Sequence, residues 1–268
     1  MSIRPKLIPP VRGWQVDLME PNDVPDDEPS LNGCFPNFQD DVYLELPRSF
    51  SDARGLLVLI NFIYIPFMFW CVKNIFYDFR YLEDAISGSV LLIISIWIAS
   101  VTIRSDVSPP RDLPLRFNRL RRKMYAYEID VVWWNPFIRW PIRAVSYDWD
   151  DVRAEAWQQQ GVINGGHVMK WGVVLSVVKP GTNEVIDRFQ LRAKGDGESV
   201  WAYICTYMQE GPNSLPPLDS PSRVSEDEHR LNIAYMLAPK VKWPAAMDIE
   251  SRTAPTDSAC RASTAAGA

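Results

Sequence analysis

The sequence has few cysteines and almost no histidine, and both shortages limit the chemistry it can carry. The four cysteines stand at positions 34, 71, 205 and 260, and no two of them have CxxC spacing. This spacing excludes a disulfide scaffold and a structural zinc knuckle. The two histidines, His167 and His229, lie far apart in the chain, so no histidine-rich metal cluster is expected.

Sequence motifs of catalysis are also missing. The chain has no GxSxG elbow, no GxxxxGK[ST] phosphate loop and no HExxH zinc helix. A net charge of −5 argues against a nucleic-acid partner. The carboxylates of Asp148, Asp150 and Asp151 could bind a hard cation, but they lack the glycine turn and distal glutamate of an EF-hand, which favours a solvated loop. We therefore expect a protein that is not an enzyme and holds no cofactor and no metal.

Two uncharged apolar runs are the strongest positive signal. They cover residues 55–72 and 85–103, and each is bounded by charged residues at both ends. As helices they would span roughly 27–29 Å, against a hydrocarbon core of about 30 Å. The runs predict a transmembrane hairpin over residues 55–103; the alternative is a pair of buried helices in a soluble core.

Basic residues follow the second run. Between positions 104 and 123 there are seven basic and two acidic residues, which predicts that this flank is cytoplasmic. Two crossings return the chain to its starting side, so both termini are expected in the cytoplasm. The first apolar run begins too late for a signal peptide. These features predict a multi-pass protein of a bacterial inner membrane.

The rest of the chain divides by composition. Residues 1–54 are acidic and proline-rich, which predicts a largely disordered segment, although VYLEL at 42–46 could pair with a later domain. Residues 104–212 are expected to form a β-rich cytoplasmic domain. Residues 213–244 are interpreted as a linker with a short helix, started by the capping-box spacing of Ser225 and Glu228, and residues 245–268 as a disordered tail.

Inside residues 104–212, alternating patterns predict antiparallel strands. LRFNR and KMYAYEIDV favour a hairpin around residues 120–122, while residues 152–160 and 167–179 read as further strands. A helix capped by Asp196 and ended by Gly211 and Pro212 follows them. The predicted fold is an α+β membrane protein whose cytoplasmic, mainly antiparallel β domain is closed by a C-terminal helix; a PH-like barrel is the sharpest version of this prediction.

Two groups of residues are candidate contact sites. Arg119, Arg121, Arg122 and Lys123 are candidate membrane-surface contacts, because basic residues near a membrane exit attract anionic headgroups. The alternative is a topology signal combined with a charged hairpin turn. Trp133, Trp134 and Trp140 are candidate partner contacts in an aromatic-rich stretch, and packing within the domain is the competing interpretation.

Three strings carry a family resemblance: LPLRFNRLRRKMYAYE (113–128), NPFIRWPIRAVSYDWDDVRAE (135–155) and YICTYMQEGPNSLPP (203–217). Following a two-helix hairpin, they resemble a family of uncharacterised proteobacterial membrane proteins associated with type VI secretion effector loci. The resemblance covers about residues 55–217 and implies an immunity or accessory protein that binds an effector or a secretion component. It supplies no site residues. The competing hypothesis is a lipid-sensing or scaffolding protein with a PH-like domain.

Overall fold

Two long apolar helices dominate one part of the computed structural model, which describes residues 4–25, 27–48, 54–77, 82–132, 134–163, 166–191, 197–217 and 232–255. Helix α1 (Leu56–Tyr77) packs along α2 (Leu82–Val107). Both contain a stretch long and apolar enough to cross a membrane, and only 6% and 11% of these stretches are buried. The prediction of two such helices is confirmed, and both run beyond the uncharged segments that predicted them.

The strands of the described residues form two antiparallel sheets. The first sheet has the order β2-β3-β4-β5-β6 and the second has the order β1-β7-β8-β9. Their bounds are β1 Trp14–Asp17, β2 Phe38–Gln39, β3 Tyr43–Leu46, β4 Leu115–Asn118, β5 Lys123–Ile129, β6 Ile142–Asp148, β7 Val152–Ile163, β8 Gly166–Val178 and β9 Val185–Gln190. The α+β class with antiparallel sheets is therefore confirmed. Strands β3 and β4 are neighbours although α1 and α2 lie between them in the sequence.

Alternation along the strands of the first sheet selects which side chains enter the core. Leu44 and Leu46 of β3, with Leu115 and Phe117 of β4, point to one face and are almost fully buried. This face packs with buried residues of β8 and β9 and with helix α3 (Gly197–Gln209). Helix α3 therefore packs in the core between the two sheets, where the C-terminal helix of the β domain was expected.

The opposite face of the first sheet is covered by the C-terminal segment. Helix α5 (Ala245–Arg252) lies across β4, and the rings of Trp243 and Tyr127 are 5.3 Å apart. Arg116 on this face is buried and donates to Asp248 Oδ1 at 2.7 Å and to Ser251 Oγ at 2.9 Å. The expected disordered tail is thus corrected for residues 245–255, because polar groups of the sheet hold them; residues 256–268 lie outside the described residues.

The N-terminal segment is also part of the fold where the structure describes it. Strand β1 pairs with β7, and β2 and β3 extend the first sheet. Two side chains of helix α3 bond to the connections between these strands. Trp201 Nε1 donates to Met19 O at 3.1 Å, and Tyr207 OH donates to Asp40 O at 2.7 Å. The prediction of a largely disordered segment is wrong for residues 4–25 and 27–48, because the local composition does not reveal these distant partners.

The short helix α4 covers Ile233–Leu237. Asn232 is its N-cap, and Asn232 Oδ1 accepts a hydrogen bond from Tyr235 N at 3.2 Å. The capping box predicted at Ser225 and Glu228 lies outside the described residues.

Candidate functional site

The paired helices α1 and α2 are joined by polar groups near the end at which they meet the domain. Asn61 Nδ2 donates to Thr102 Oγ1 at 2.8 Å, which links the two helices inside their apolar stretches. Asp106 Oδ2 accepts from the backbone N–H of Val58 at 3.0 Å, so a carboxylate of α2 caps the first turn of α1. These contacts fix the register of the pair where it joins the domain.

The two chain connections between the helices and the domain leave the same end of the first sheet. Strand β3 ends at Leu46, which pairs with Leu115 at the start of β4. The chain reaches α1 soon after Leu46 and leaves α2 shortly before Leu115. We call this end of the sheet the helix end and the opposite end, where β4 turns into β5, the turn end.

The basic candidates lie at the turn end. The turn Arg119–Arg122 follows Asn118, the last residue of β4, and strand β4 separates it from the helix end by about 10 Å or more. The topology therefore places the four predicted membrane-surface residues away from the apolar helices.

The side chains of Arg121, Arg122 and Lys123 are held by polar groups from other parts of the chain. Arg121 Nε donates to Thr253 O at 2.8 Å, and Lys123 Nζ donates to Glu250 Oε1 at 3.0 Å. Arg122 forms an ion pair with Asp150 at 3.0 Å, so this aspartate of the predicted acidic loop faces a cation of the protein. The hydrogen bond from Lys123 holds the pKa of Glu250 below its ordinary value. These contacts attach the C-terminal segment and the acidic loop to the turn.

The tryptophan candidates separate into different environments. Trp140 is buried, while 60% of Trp134 is exposed; Trp133 lies outside the described residues. Trp134 belongs to the loop between β5 and β6, residues 130–141, which lies at the helix end because Ile129 pairs with Ile142 there. Arg104 near the end of α2 donates to Ile138 O in this loop at 2.8 Å. Only Trp134 is thus shown as an exposed aromatic candidate.

Sequence reasoning missed other exposed apolar residues at the helix end. Phe137 and Ile138 accompany Trp134 in the loop, and Met236 and Leu237 are exposed on α4. Leu237 lines an apolar cavity of about 260 Å³ together with residues of α1 and α2. For Phe137 and Ile138, the signal that could have revealed them is the NPFI string, which places apolar residues between two strands without strand alternation.

A second concavity lies between the N-terminal segment and helix α3. This groove of about 480 Å³ has Trp201 in its wall, and among the described residues that line it the one basic side chain is Lys6. Its acidic lining residues are Asp17, Glu20, Asp23, Asp27 and Glu198. The groove is a strongly acidic surface of the domain.

Other titratable groups of the domain form hydrogen bonds within it or lie exposed on its surface. Asp187 is partly buried, which raises its pKa, but hydrogen bonds from Arg143 and Tyr147 outweigh this effect and leave the pKa below its ordinary value. His167 is exposed on β8. In the part of the chain that the structure describes, no three His, Cys, Asp or Glu side chains are grouped as metal ligands.

Taken together, these features define an α+β protein that carries two exposed apolar helices long enough to span a membrane. The chain belongs to DUF6708, a family of unknown function whose model matches residues 91–255. The match begins within α2 and continues through the domain to the segment after α5. No curated protein and no solved structure matches the chain.

Proposed function

We propose that α1 and α2 insert into a membrane as a hairpin and anchor the domain to its surface. The observation that supports this is the contrast within one chain: the domain buries a complete apolar core, while the apolar side chains of both helices remain exposed. Helices in the core of a soluble protein would be mostly buried. Two crossings would put both chain ends on one side, and the basic residues after α2 support the cytoplasmic side of a bacterial inner membrane as that side.

A reporter fusion tests this topology. A reporter joined after Pro212, which follows α3, should be active only as a cytoplasmic form. A matched fusion within the short connection between α1 and α2 should be active only as a periplasmic form. Periplasmic activity after Pro212, or release of the protein by alkaline carbonate, would refute the hairpin.

We propose further that the anchored domain acts by binding a protein and performs no catalytic turnover. The absent catalytic motifs support this, and so does the use of the charged side chains described above in contacts within the fold. The family resemblance supports a more specific role, in which the partner is an effector or a component of a type VI secretion system and the protein is its immunity or accessory partner.

Two measurements test the binding role. The full-length protein, purified in mild detergent, should retain a stoichiometric protein partner. Deletion of the gene should sensitise cells to an effector encoded nearby, and survival should rise with the amount of protein supplied. If deletion sensitises cells to none of the neighbouring effectors, the immunity role is wrong; if no partner is retained, the binding role is wrong as well.

One observation favours the second candidate, a lipid-sensing or scaffolding protein with a PH-like domain. The strands β3–β6 form one antiparallel meander, β7–β9 form another, and α3 follows them and packs in the core, which are the features on which the PH-like prediction depends. The position of the basic turn at the turn end speaks against Arg119 and its neighbours as the lipid contact. A fluorescent label on Leu120, which is exposed within this turn, tests the alternative: quenching by lipid-borne quenchers would support lipid binding by the turn.

A further inference from the structure

The helix end of the domain carries a group of exposed apolar side chains on two separate segments. The loop 130–141 exposes Trp134, Phe137 and Ile138, and 75% of Phe137 is accessible. Helix α4 exposes Ile233, Met236 and Leu237. Single exposed apolar residues are ordinary on protein surfaces, but a group at one end of a domain marks an interaction surface.

Contacts with residues at the ends of α1 and α2 hold both segments beside these helix ends. Arg104 is the first charged residue after the apolar stretch of α2, and its guanidinium donates to Ile138 O at 2.8 Å. Asn232 at the start of α4 donates to Arg54 O at 2.6 Å, directly before α1 begins. Both segments are therefore held beside residues that mark the end of an apolar helix.

The side chains beside these helix ends are of the types found at the boundary between lipid headgroups and acyl chains. Tryptophan and other aromatic rings favour this boundary, because one part of the ring is apolar and another can remain hydrated. Basic side chains surround the same place: Arg139 and Lys240 are exposed and line a small cavity with Arg104 and Trp140. Apolar residues beside cations are suited to a bilayer that contains anionic lipids.

We propose that these two segments form a collar that enters the interfacial layer of the bilayer spanned by α1 and α2. The collar consists of Trp134, Phe137 and Ile138 of the loop and Ile233, Met236 and Leu237 of α4. The occupant of this surface is lipid, because Leu237 lines an apolar cavity together with side chains of α1 and α2, so that α4 continues the exposed apolar surface of the helices at this point. This inference rests on the proposed membrane insertion and extends it to the orientation of the domain.

Site-directed fluorescence quenching tests the collar in the full-length protein. Environment-sensitive labels are placed on single cysteines at Phe137→Cys and Met236→Cys, and Leu120→Cys at the turn end is the matched exposed control. Cys71→Ala and Cys260→Ser remove two of the four native cysteines. The other two, Cys34 and Cys205, are buried and are kept. The protein is reconstituted in vesicles of phosphatidylethanolamine and phosphatidylglycerol that carry doxyl groups either near the headgroup or near the end of the acyl chain.

We expect the labels at Phe137 and Met236 to be blue-shifted and quenched most by the doxyl group near the headgroup. The label at Leu120 should retain the emission of an aqueous environment and its full intensity. A fourth label, at Ile94→Cys in the middle of α2, reports insertion itself and should be quenched most by the deep doxyl group.

The four labels separate the two proposals. If Ile94 is not quenched, the helices do not insert and the proposed anchoring is wrong. If Ile94 is quenched while Phe137 and Met236 behave like Leu120, the anchoring stands and the collar is refuted. Protection of the collar labels from water without quenching by lipid would mean that protein covers them, for example a second copy of this chain, and would also refute the proposal.

Discussion

Replacing Trp201 by alanine should cost more stability than most single changes in this domain. The Trp201 side chain is 1% exposed, its ring centroid lies 5.4 Å from that of Trp149, and its Nε1 donates to Met19 O at 3.1 Å. Truncating a buried tryptophan costs about 3–5 kcal/mol, of which a lost hydrogen bond accounts for about 1 kcal/mol. The hydrogen bond is also a tie between α3 and the N-terminal segment, so its loss loosens the wall of the acidic groove.

The expected change is large enough to measure in the full-length protein. Since about 1 kcal/mol shifts the Tm of a domain of this size by 2–4 °C, Trp201→Ala should lower the Tm by about 6–20 °C. Thermal unfolding in mild detergent, followed by near-ultraviolet circular dichroism, measures this shift. Trp201→Phe loses the donor and part of the ring volume but keeps one buried ring, so it should fall between the wild type and Trp201→Ala. Trp171→Ala, at a site that is 60% exposed, is the matched control, with a change within about 0.5 kcal/mol. An equal Tm for Trp201→Ala and Trp171→Ala would refute the packing of α3.

Three further changes test other contacts. Folding lowers the pKa of Glu250 below its usual 4.5 through the hydrogen bond from Lys123, so the contribution of Glu250 to stability is present at neutral pH and is lost as the pH falls through the folded pKa. The Tm difference between the wild type and Glu250→Gln should therefore shrink below pH 4.5. A difference that grew there would contradict the contact. Asn61→Ala removes the hydrogen bond to Thr102 and should lower the unfolding free energy in detergent by only about 0.6 kcal/mol, whereas a loss several times larger would show another role. Gly13→Ala should lower the unfolding free energy by at least about 1 kcal/mol, since φ of Gly13 is +82° and the added Cβ would lie 2.4 Å from a backbone oxygen of β7. Gly181→Ala, with a positive φ but open space around the added Cβ, should cost less in the same chemical unfolding series. Equal costs would contradict the clash.

Local patterns sufficed to predict the elements that are continuous in sequence. The uncharged runs predicted α1 and α2, alternation predicted the β4–β5 hairpin and strands β7 and β8, and Gly211 with Pro212 predicted the end of α3. In each case the residues that determine the element are close together in the chain, so a periodic pattern reports them directly.

Contacts between distant segments could not be predicted in this way. Strand β1 is only four residues long, so the apolar-polar alternation of its sequence, WQVD, is a weak signal by itself. It becomes a strand because β7 provides an edge. The basic turn resembled a free cationic patch because Glu250, the partner of Lys123, lies more than a hundred positions away. The tail looked disordered because Asp248 and Ser251 acquire their role only from Arg116 on β4.

The insertion of α1 and α2 between the paired strands β3 and β4 determines the order of events during biosynthesis. A ribosome delivers β3 first, then both apolar helices, and only afterwards β4, which β3 needs as its partner. The first sheet cannot close while the hairpin is still being made, so a hairpin that enters the membrane during translation does so before the domain folds. In that case folding takes place on a chain already tethered. The pairing of Leu46 with Leu115 holds the points from which the chain leads to the two helices about 5 Å apart, the spacing of neighbouring strands. The domain thereby holds together the two points of the chain from which α1 and α2 extend.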